Sequence, residues 1–501
     1  MRLSFLLPFF TLFALATAKY HIYHEPELIG RACKTALYRT AIFCVGENSY
    51  SLKCQCSNID AMGSYLYCGY ENSHGESTIS GFENWFLAQC PNSTVEEMRQ
   101  VYANVSNYIV DVSTIPNFNK SVPVHVPVRY KSKIYNTALR SGKAFYGNFN
   151  DTMYMGAGLM GYWAVIILCG AIVNFTSKLA PNLLLSTNKR LGNSSFVRLY
   201  RKYISIPATF RFSHTNNVFL GGLLPTRLES LIILGYFALN VAFECARIYY
   251  VANNTIFSSR STQLSRIVGD RSGIISLFLM CLTFLLGGRN NFLIWLTGWK
   301  QSTFMTYHKW IARMLIIVVV LHSIAMLIYA CIGQAFSYWI LQDWYRWGCV
   351  ATVAGAIIFI QAISWLRVNY YETFLCIHIV MAVFFLVGTW GHIDIFDENQ
   401  WTSAAIAVWV FDRFVRIVRL AFFGIRTAKA TVISNETLEI TVPKHNWWPT
   451  FPGAFGYVHF MRTSLFWQSH PLTFVDTDGE HIKFFIKVKN GATKSIYKYL
   501  M

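Results

Sequence analysis

Charge is scarce in this chain. Only 14% of its 501 residues are Asp, Glu, Lys or Arg, against 54% hydrophobic, and the mean hydropathy is positive. That excludes an ordinary soluble domain and points to several membrane spans. Acidic residues are scarcer still, 25 against 43 basic ones, for a formal net charge of +18. A nucleic-acid partner is excluded all the same, because the basic residues cluster beside apolar segments, as membrane topology requires. No hydrolase-like constellation of nucleophile, acid and base appears.

Histidine is sparse too, yet four of the 13 carry the argument. His308 and His322 lie in one apolar segment, His378 and His392 in another, and each pair is fourteen residues apart. Fourteen residues are about 3.9 helical turns, so both members of a pair project from nearly one face. The rise is roughly 21 Å, comparable to the spacing of the two leaflets of a hydrocarbon core of about 30 Å. Single histidines in spans can be packed or hydrogen-bonded side chains. The repeated spacing in two helices favours metal ligands instead. Zinc ligands from one helix sit three to five residues apart, which this spacing excludes. Bis-histidine haem needs one ligand from each of two helices, so two helices with histidines at two depths can hold two haems.

Residues 1–18 read as a secretory signal: Arg2, an apolar run from Leu3 to Leu15, then Ala16-Thr17-Ala18. Residues 19–153 are polar and hold Cys33, Cys44, Cys54, Cys56, Cys68 and Cys90, an even set that implies disulfides of undetermined connectivity in an oxidising compartment. The same segment carries glycosylation sequons at Asn92, Asn104, Asn119 and Asn150, which favours an extracellular domain. Cys331 and Cys349 flank one outer loop and are candidates for a further pair.

Seven apolar segments follow, near 155–177, 228–252, 272–297, 304–332, 347–366, 371–392 and 402–423. With the N-terminal domain outside, seven crossings leave the C-terminus in the cytosol. The loop 178–227 holds Lys178, Lys189, Arg190, Arg198, Arg201, Lys202, Arg211 and Arg227 with no acidic residue, as a cytosolic loop should. The loop after the sixth segment, with Asp394, Asp397 and Glu398, should be outside. Arg413, Arg416, Arg419 and Arg426 crowd the inner end of the last segment. The fourth and sixth segments then run in the same direction, which pairs His308 with His378 at an inner level and His322 with His392 at an outer one. Arg289, Lys309 and Arg313 lie near the inner level, either as neutralisers of haem propionates or as snorkelling cations.

From about 424 the pattern changes to short alternating runs. Thr431–Ile433 and Leu438–Val442 flank a turn, Phe455–Met461 and Ile482–Val488 read as further strands, and a small antiparallel barrel is expected. His470-Pro471-Leu472-Thr473-Phe474 offers backbone amides and a hydroxyl at a strand end. Lys487 to Thr493 leads a basic strand through Gly491 into a helix start, a seat for a pyrophosphate. An ordinary strand-turn-helix with solvated lysines is the plainer reading; behind a two-haem domain, a flavin is favoured.

The chain resembles the fungal ferric reductases, relatives of the NADPH oxidases, in its paired histidines, Gly287-Gly288-Arg289-Asn290-Asn291, the His470–Thr473 segment and Lys487–Thr493. The resemblance implies a polytopic α-helical membrane protein of about seven spans, with a disulfide-bearing ectodomain (19–153), a two-haem bundle (154–423) and a partial cytosolic FAD-binding β-barrel (424–501). It implies two b-type haems ligated by His308, His322, His378 and His392, and FAD contacted by His470, Pro471, Leu472, Thr473, Phe474, Val475 and Asp476, with Lys487, Gly491 and Thr493. The implied activity is NADPH-dependent ferric-chelate reduction: electrons pass from cytosolic NADPH through FAD and the haems to ferric or cupric chelates outside the plasma membrane, for iron uptake. Two alternatives share this wire: a superoxide-generating oxidase, and a haem-binding component without its own NADPH site. Family members normally continue into a nicotinamide-binding domain. This sequence stops at Met501, so it is expected to be a fragment, a truncated form, or a chain served by a separate NADPH-dehydrogenase partner.

Overall fold

The computed structural model describes residues 21–45, 52–211, 217–218, 222–434, 436–445, 448, 450–451, 453–462, 465–466, 468–476, 479–489 and 491–501. The expected signal segment 1–18 lies outside the described residues. The chain divides into two units, residues 1–369 with 377–409, and 370–376 with 410–501.

Among the described residues the first unit begins with four longer helices, α1 (Glu25–Thr40), α2 (Ile59–Asn72), α3 (Glu76–Gln89) and α4 (Val95–Val105), with the short helix Leu52–Ser57 between α1 and α2. Local signals set their starts. Asn58 accepts from the Asp60 and Ala61 amides before α2, and Thr94 with Glu97 forms a capping box at α4. Disulfide Cys33–Cys68 ties α1 to α2, and Cys56–Cys90 ties the helix Leu52–Ser57 to the end of α3, around Tyr65, Phe82 and Phe86, all fully buried. Cys44–Cys54 ties that short helix to the chain after α1. Gly69 lets the Phe82 ring lie on the α2 backbone, where a Cβ would collide with it. Buried Glu83 accepts from Arg99 at 2.8 and 3.1 Å and from the Tyr70 hydroxyl at 2.9 Å. Cys331 and Cys349, the candidates for a further pair, are both free: each is exposed on its own helix and bonded to no other sulfur.

Helix α5 (Ser132–Leu179) runs unbroken for 48 residues, across the change in composition at 153. After α6 (Pro181–Gly192) come α7 (Arg227–Cys245), α8 (Arg260–Gly287), α9 (Gln301–Ile332), α10 (Asp343–Gln361), α11 (Tyr371–Ile393) and α12 (Gln400–Phe423). Each of the seven apolar segments overlaps one of these helices. Among the described residues five helices are long and apolar enough to cross a membrane: α5, α7, α8, α9, and α11 with its extension to Phe396. Helices α10 and α12 are not among them: α12 is interrupted by Asp412, Arg413, Arg416 and Arg419, and α10 is only 19 residues long and opens on the polar turn Asp343–Arg346. Helix α8 is the most enclosed, and Ile275, Leu279 and Phe304 of the α8–α9 contact are fully buried.

Two segment ends differ from the hydropathy reading. The second ends at Cys245 rather than 252, because fully buried Arg271 donates to the carbonyls of Phe243, Glu244 and Ala246 and terminates α7. The third, expected at 272–297, starts twelve residues earlier and breaks after Gly287. Its polar first turns are accommodated by an Arg266–Asp270 pair at 2.8 Å and by Arg271 Nε on Asn148 Oδ1 at 3.1 Å. At the break Asn291 accepts from the Leu293 amide at 2.9 Å and donates to the Leu285 carbonyl at 2.8 Å.

The second unit holds a five-stranded antiparallel sheet. Its strands are β1 (Lys429–Ser434), β2 (Thr437–Pro443), β3 (Phe455–Val458), β4 (His470–Asp476) and β5 (His481–Lys487), in the order β1-β2-β5-β4-β3. Leu438, Ile440, Phe474, Ile482, Phe484 and Ile486 alternate onto one face, and Ile496 of α13 (Ala492–Leu500) joins that core. The strand expected at Phe455–Met461 ends at Val458.

Gly69→Ala is expected to destabilise the disulfide-linked helices by about 1–3 kcal/mol, since Phe82 must move. Thermal unfolding against Gly161→Ala, where a Cβ meets open space, is the measurement. Equal midpoints for the two variants would refute the packing.

Candidate functional site: a two-level histidine column and a sheet face

Helices α9 and α11 bring the four histidines together in two facing pairs. The His308 and His378 rings have centroids 6.4 Å apart with an interplanar angle of 71°; His322 and His392 are 5.9 Å apart at 75°. Two metal–imidazole bonds of about 2.0 Å in line, plus the distance from each ligating nitrogen to its ring centre, separate two centroids by about 6 Å. Each gap therefore fits one metal ion. Among the described residues no cluster of three or more His, Cys, Asp or Glu could hold a metal. Two protein ligands per ion suit a metal whose remaining positions a macrocycle fills, so the residues fit haem and not a tetrahedral site.

The other ring nitrogen is engaged at three of the histidines. His308 Nδ1 donates to the Thr283 carbonyl at 2.9 Å, His322 Nδ1 to Gly269 at 2.7 Å, and His392 Nδ1 to Trp344 at 2.9 Å. A proton held on Nδ1 leaves the lone pair on Nε2, and a backbone acceptor raises the ligand's basicity. Sequence reasoning missed these carbonyls, because an acceptor on the backbone has no residue identity. At the level of His308, Lys309 lies within the field of Arg313 and Arg367, and Arg313 stacks on Trp310 at 4.6 Å. Arg367 was not singled out from sequence; Lys309 and Arg313 were.

In the second unit, His470–Asp476 forms β4 itself rather than a strand end. Pro471 pairs with Tyr457 and Thr473 with Phe455 across β3. Pro471, Thr473 and Val475 face outward with Phe455 and Tyr457, giving one exposed apolar face with a hydroxyl in it. Leu472 is half-buried and Phe474 buried against Trp448 and Phe484, so both serve the core. His470 is half-buried and stacks on Phe460 at 6.0 Å; burial lowers its pKa. Asp476 is committed within the fold: Lys444 donates to Oδ2 at 2.6 Å and the Gly479 amide to Oδ1 at 2.9 Å. The lysine hydrogen bond holds its carboxyl below the usual range. Thr493 closes on Lys489, accepting from its amide at 2.8 Å and donating to its carbonyl at 2.9 Å. Lys487 is exposed and 3.4 Å from Glu436, and Gly491 takes a φ of +102° before α13. Asn490 of that turn lies outside the described residues.

Residues 272–389 match the family described as ferric reductase like transmembrane component, and residues 422–501 match an FAD-binding domain. The first match includes His308, His322 and His378 and stops three residues before His392. The chain is a homologue of the fungal ferric reductase transmembrane components. It is 39% identical over 360 residues to a probable ferric reductase transmembrane component of Candida albicans, covering 70% of this chain and 53% of that protein. It is likewise 39% identical to ferric/cupric reductase transmembrane component 1 of the same organism, covering 70% and 47%. With ferric reductase transmembrane component 3 of Saccharomyces cerevisiae it shares 30% identity, over 89% of this chain and 63% of the relative. The chain thus spans about half the length of the Candida relatives it matches.

The Asp476 carboxyl has its pKa depressed in the folded state, so its contribution to stability is present above the unfolded value of about 4 and is lost as pH falls through the folded one. The melting advantage of the wild type over Asp476→Ala should therefore be full near neutrality and shrink below about pH 4. A pH-independent difference in thermal unfolding would show that the carboxylate's charge is not what matters.

Proposed function

We propose that the chain is the membrane-spanning core of an NADPH-dependent ferric-chelate reductase. It would carry electrons from the cytosol through FAD and two b-type haems to ferric or cupric chelates outside the plasma membrane, in the service of iron uptake. The observation that carries this reading is the pair of imidazole gaps, 6.4 and 5.9 Å between centroids, stacked along two helices. Haem, when bound, supplies one-electron chemistry that no side chain offers. His308 and His378 would hold the inner iron, His322 and His392 the outer one. The Nδ1 hydrogen bonds leave the Nε2 lone pairs of His308, His322 and His392 available to the iron each would hold. Lys309, Arg313 and Arg367, crowded as like charges, neutralise the inner propionates.

The FAD-binding match over residues 422–501 supports a flavin. In this reading it would lie against the exposed face of β3 and β4, with Pro471 and Thr473 as its principal contacts. His470, Lys487 and Gly491 border it. Leu472, Phe474, Asp476 and Thr493 contribute through the fold, given their own partners. The name of one Candida relative includes cupric reduction, which supports copper as a second acceptor. In this reading residues 19–153 lie outside, 154–423 form seven spans, and 424–501 lie in the cytosol. Asn92, Asn104 and Asn119 are exposed glycan sites. Asn150 is a poorer acceptor, because its side chain bridges the Tyr23 backbone at 2.8 and 3.0 Å.

His308→Ala or His378→Ala should remove one of the two haems and abolish surface ferric reduction while the chain still reaches the membrane. Haem counted per polypeptide is the test, and an unchanged ratio rejects the pairing. An epitope tag at residue 501 should be reached by antibody only after cells are permeabilised; staining of intact cells would overturn the orientation.

A further inference from the structure

Three imidazoles are seated by one repeated device. His322 bonds the carbonyl of Gly269, His308 that of Thr283, and His392 that of Trp344. Four residues beyond each of these carbonyls, on the same helix, stands a glycine: Gly273, Gly287 and Gly348. The ring lies directly over it. A Cβ on Gly273 would sit 2.7 Å from His322 Nδ1, one on Gly287 3.0 Å from His308 Nδ1, and one on Gly348 2.7 Å from His392 Nδ1. The same ring atom comes closest each time.

The physical reason is helical geometry. A carbonyl inside a helix already accepts from the N–H four residues on. A second donor reaches it from the side, across the Cα of that fourth residue, and any side chain there blocks the approach. Gly273 and Gly287 are fourteen residues apart on α8, the same interval as His308 and His322 on α9. They meet in reverse order because the two helices are antiparallel. The fourth place, fourteen residues beyond Gly348, is Ala362.

We propose that Gly273, Gly287 and Gly348 are positioning residues for the axial imidazoles, each acting on one haem. Gly287 acts through His308 on the inner haem; Gly273 and Gly348 act through His322 and His392 on the outer. The inference rests on the two-haem reading above. With a methyl group at one of these places the ring must turn or retreat, its Nδ1–H leaves the carbonyl, and Nε2 would no longer be held where it could ligate an iron. The plainer role is helix packing, which Gly156 plays beneath the Phe278 ring.

The test uses the full chain extracted from membranes, as wild type, Gly287→Ala, Gly273→Ala, Gly348→Ala and Gly156→Ala. Low-spin haem signals are resolved by redox titration and electron paramagnetic resonance. Gly287→Ala should shift or lose one haem signal, and Gly273→Ala and Gly348→Ala should both affect the other. The affected haem should bind about 10–100-fold more weakly, as when an outer-shell partner is lost. Gly156→Ala should not select between haems. If Gly287→Ala does not accumulate, the double variant Gly287→Ala/His308→Gly removes the colliding ring. It should then accumulate as His308→Gly does. Persistent failure of the double variant, two unaltered signals in all three alanine variants, or equal loss of both signals in each overturns the proposal. A wild type without low-spin haem would sink the two-haem reading instead.

Discussion

A neutral imidazole has one nitrogen to offer a metal, and the partner of the other nitrogen decides which. In the helical unit that partner is a backbone carbonyl on a neighbouring helix, at 2.7–2.9 Å for His308, His322 and His392. Much else follows from bringing backbone that close. Helix α8 must lie in the middle of the bundle, enclosed on most sides, because two of the three carbonyls belong to it. Its polar first turns must be satisfied internally. Arg266 does so with Asp270, and Arg271 with Asn148 and the end of α7. The Gly287–Asn291 break must follow at once, so that the chain can turn and return as α9 with His308 about two turns inside.

The histidine pairs were legible because their spacing is close to four helical turns and because both pairs carry the same offset of seventy residues. That constant offset is what two parallel helices in register require, and the rings do face each other pairwise. Helix existence was legible for the same reason: apolar runs of this length have few alternatives. Helix ends were not. The stop of α7 at Cys245 depends on Arg271, 26 residues further along, and hydropathy has no term for a cation that caps a distant helix. The early start of α8 was hidden because Arg266, Asp270 and Arg271 look like loop residues until their partners are known. The disulfide connectivity, and the free state of Cys331 and Cys349, likewise depend on three-dimensional neighbours.

The sheet unit shows a different limit of pattern reading. Alternation located β1, β2, β3 and β5 but not β4, and only the pleat of β4 sorts Leu472 and Phe474 from Pro471, Thr473 and Val475. A motif match over His470–Asp476 treats all seven positions alike, whereas the pleat divides them between core and surface. Asp476 and Thr493 carry functional groups suited to a nucleotide, yet both are spent on turns of the chain itself. Polar residues in such loops are ambiguous in sequence because the same atoms serve a turn or a ligand equally well.

Helix α5 has a mechanical meaning beyond its hydropathy. At 1.5 Å per residue its 48 residues make a rod of about 72 Å, whose first turns pack with the disulfide-linked helices and whose later turns join Trp163 to the bundle core. No swivel separates the two regions. The cysteine-rich cap is carried as a rigid extension of the bundle, so its tilt and azimuth are inherited from the helix beneath it, and any strain on one is felt by the other as torsion.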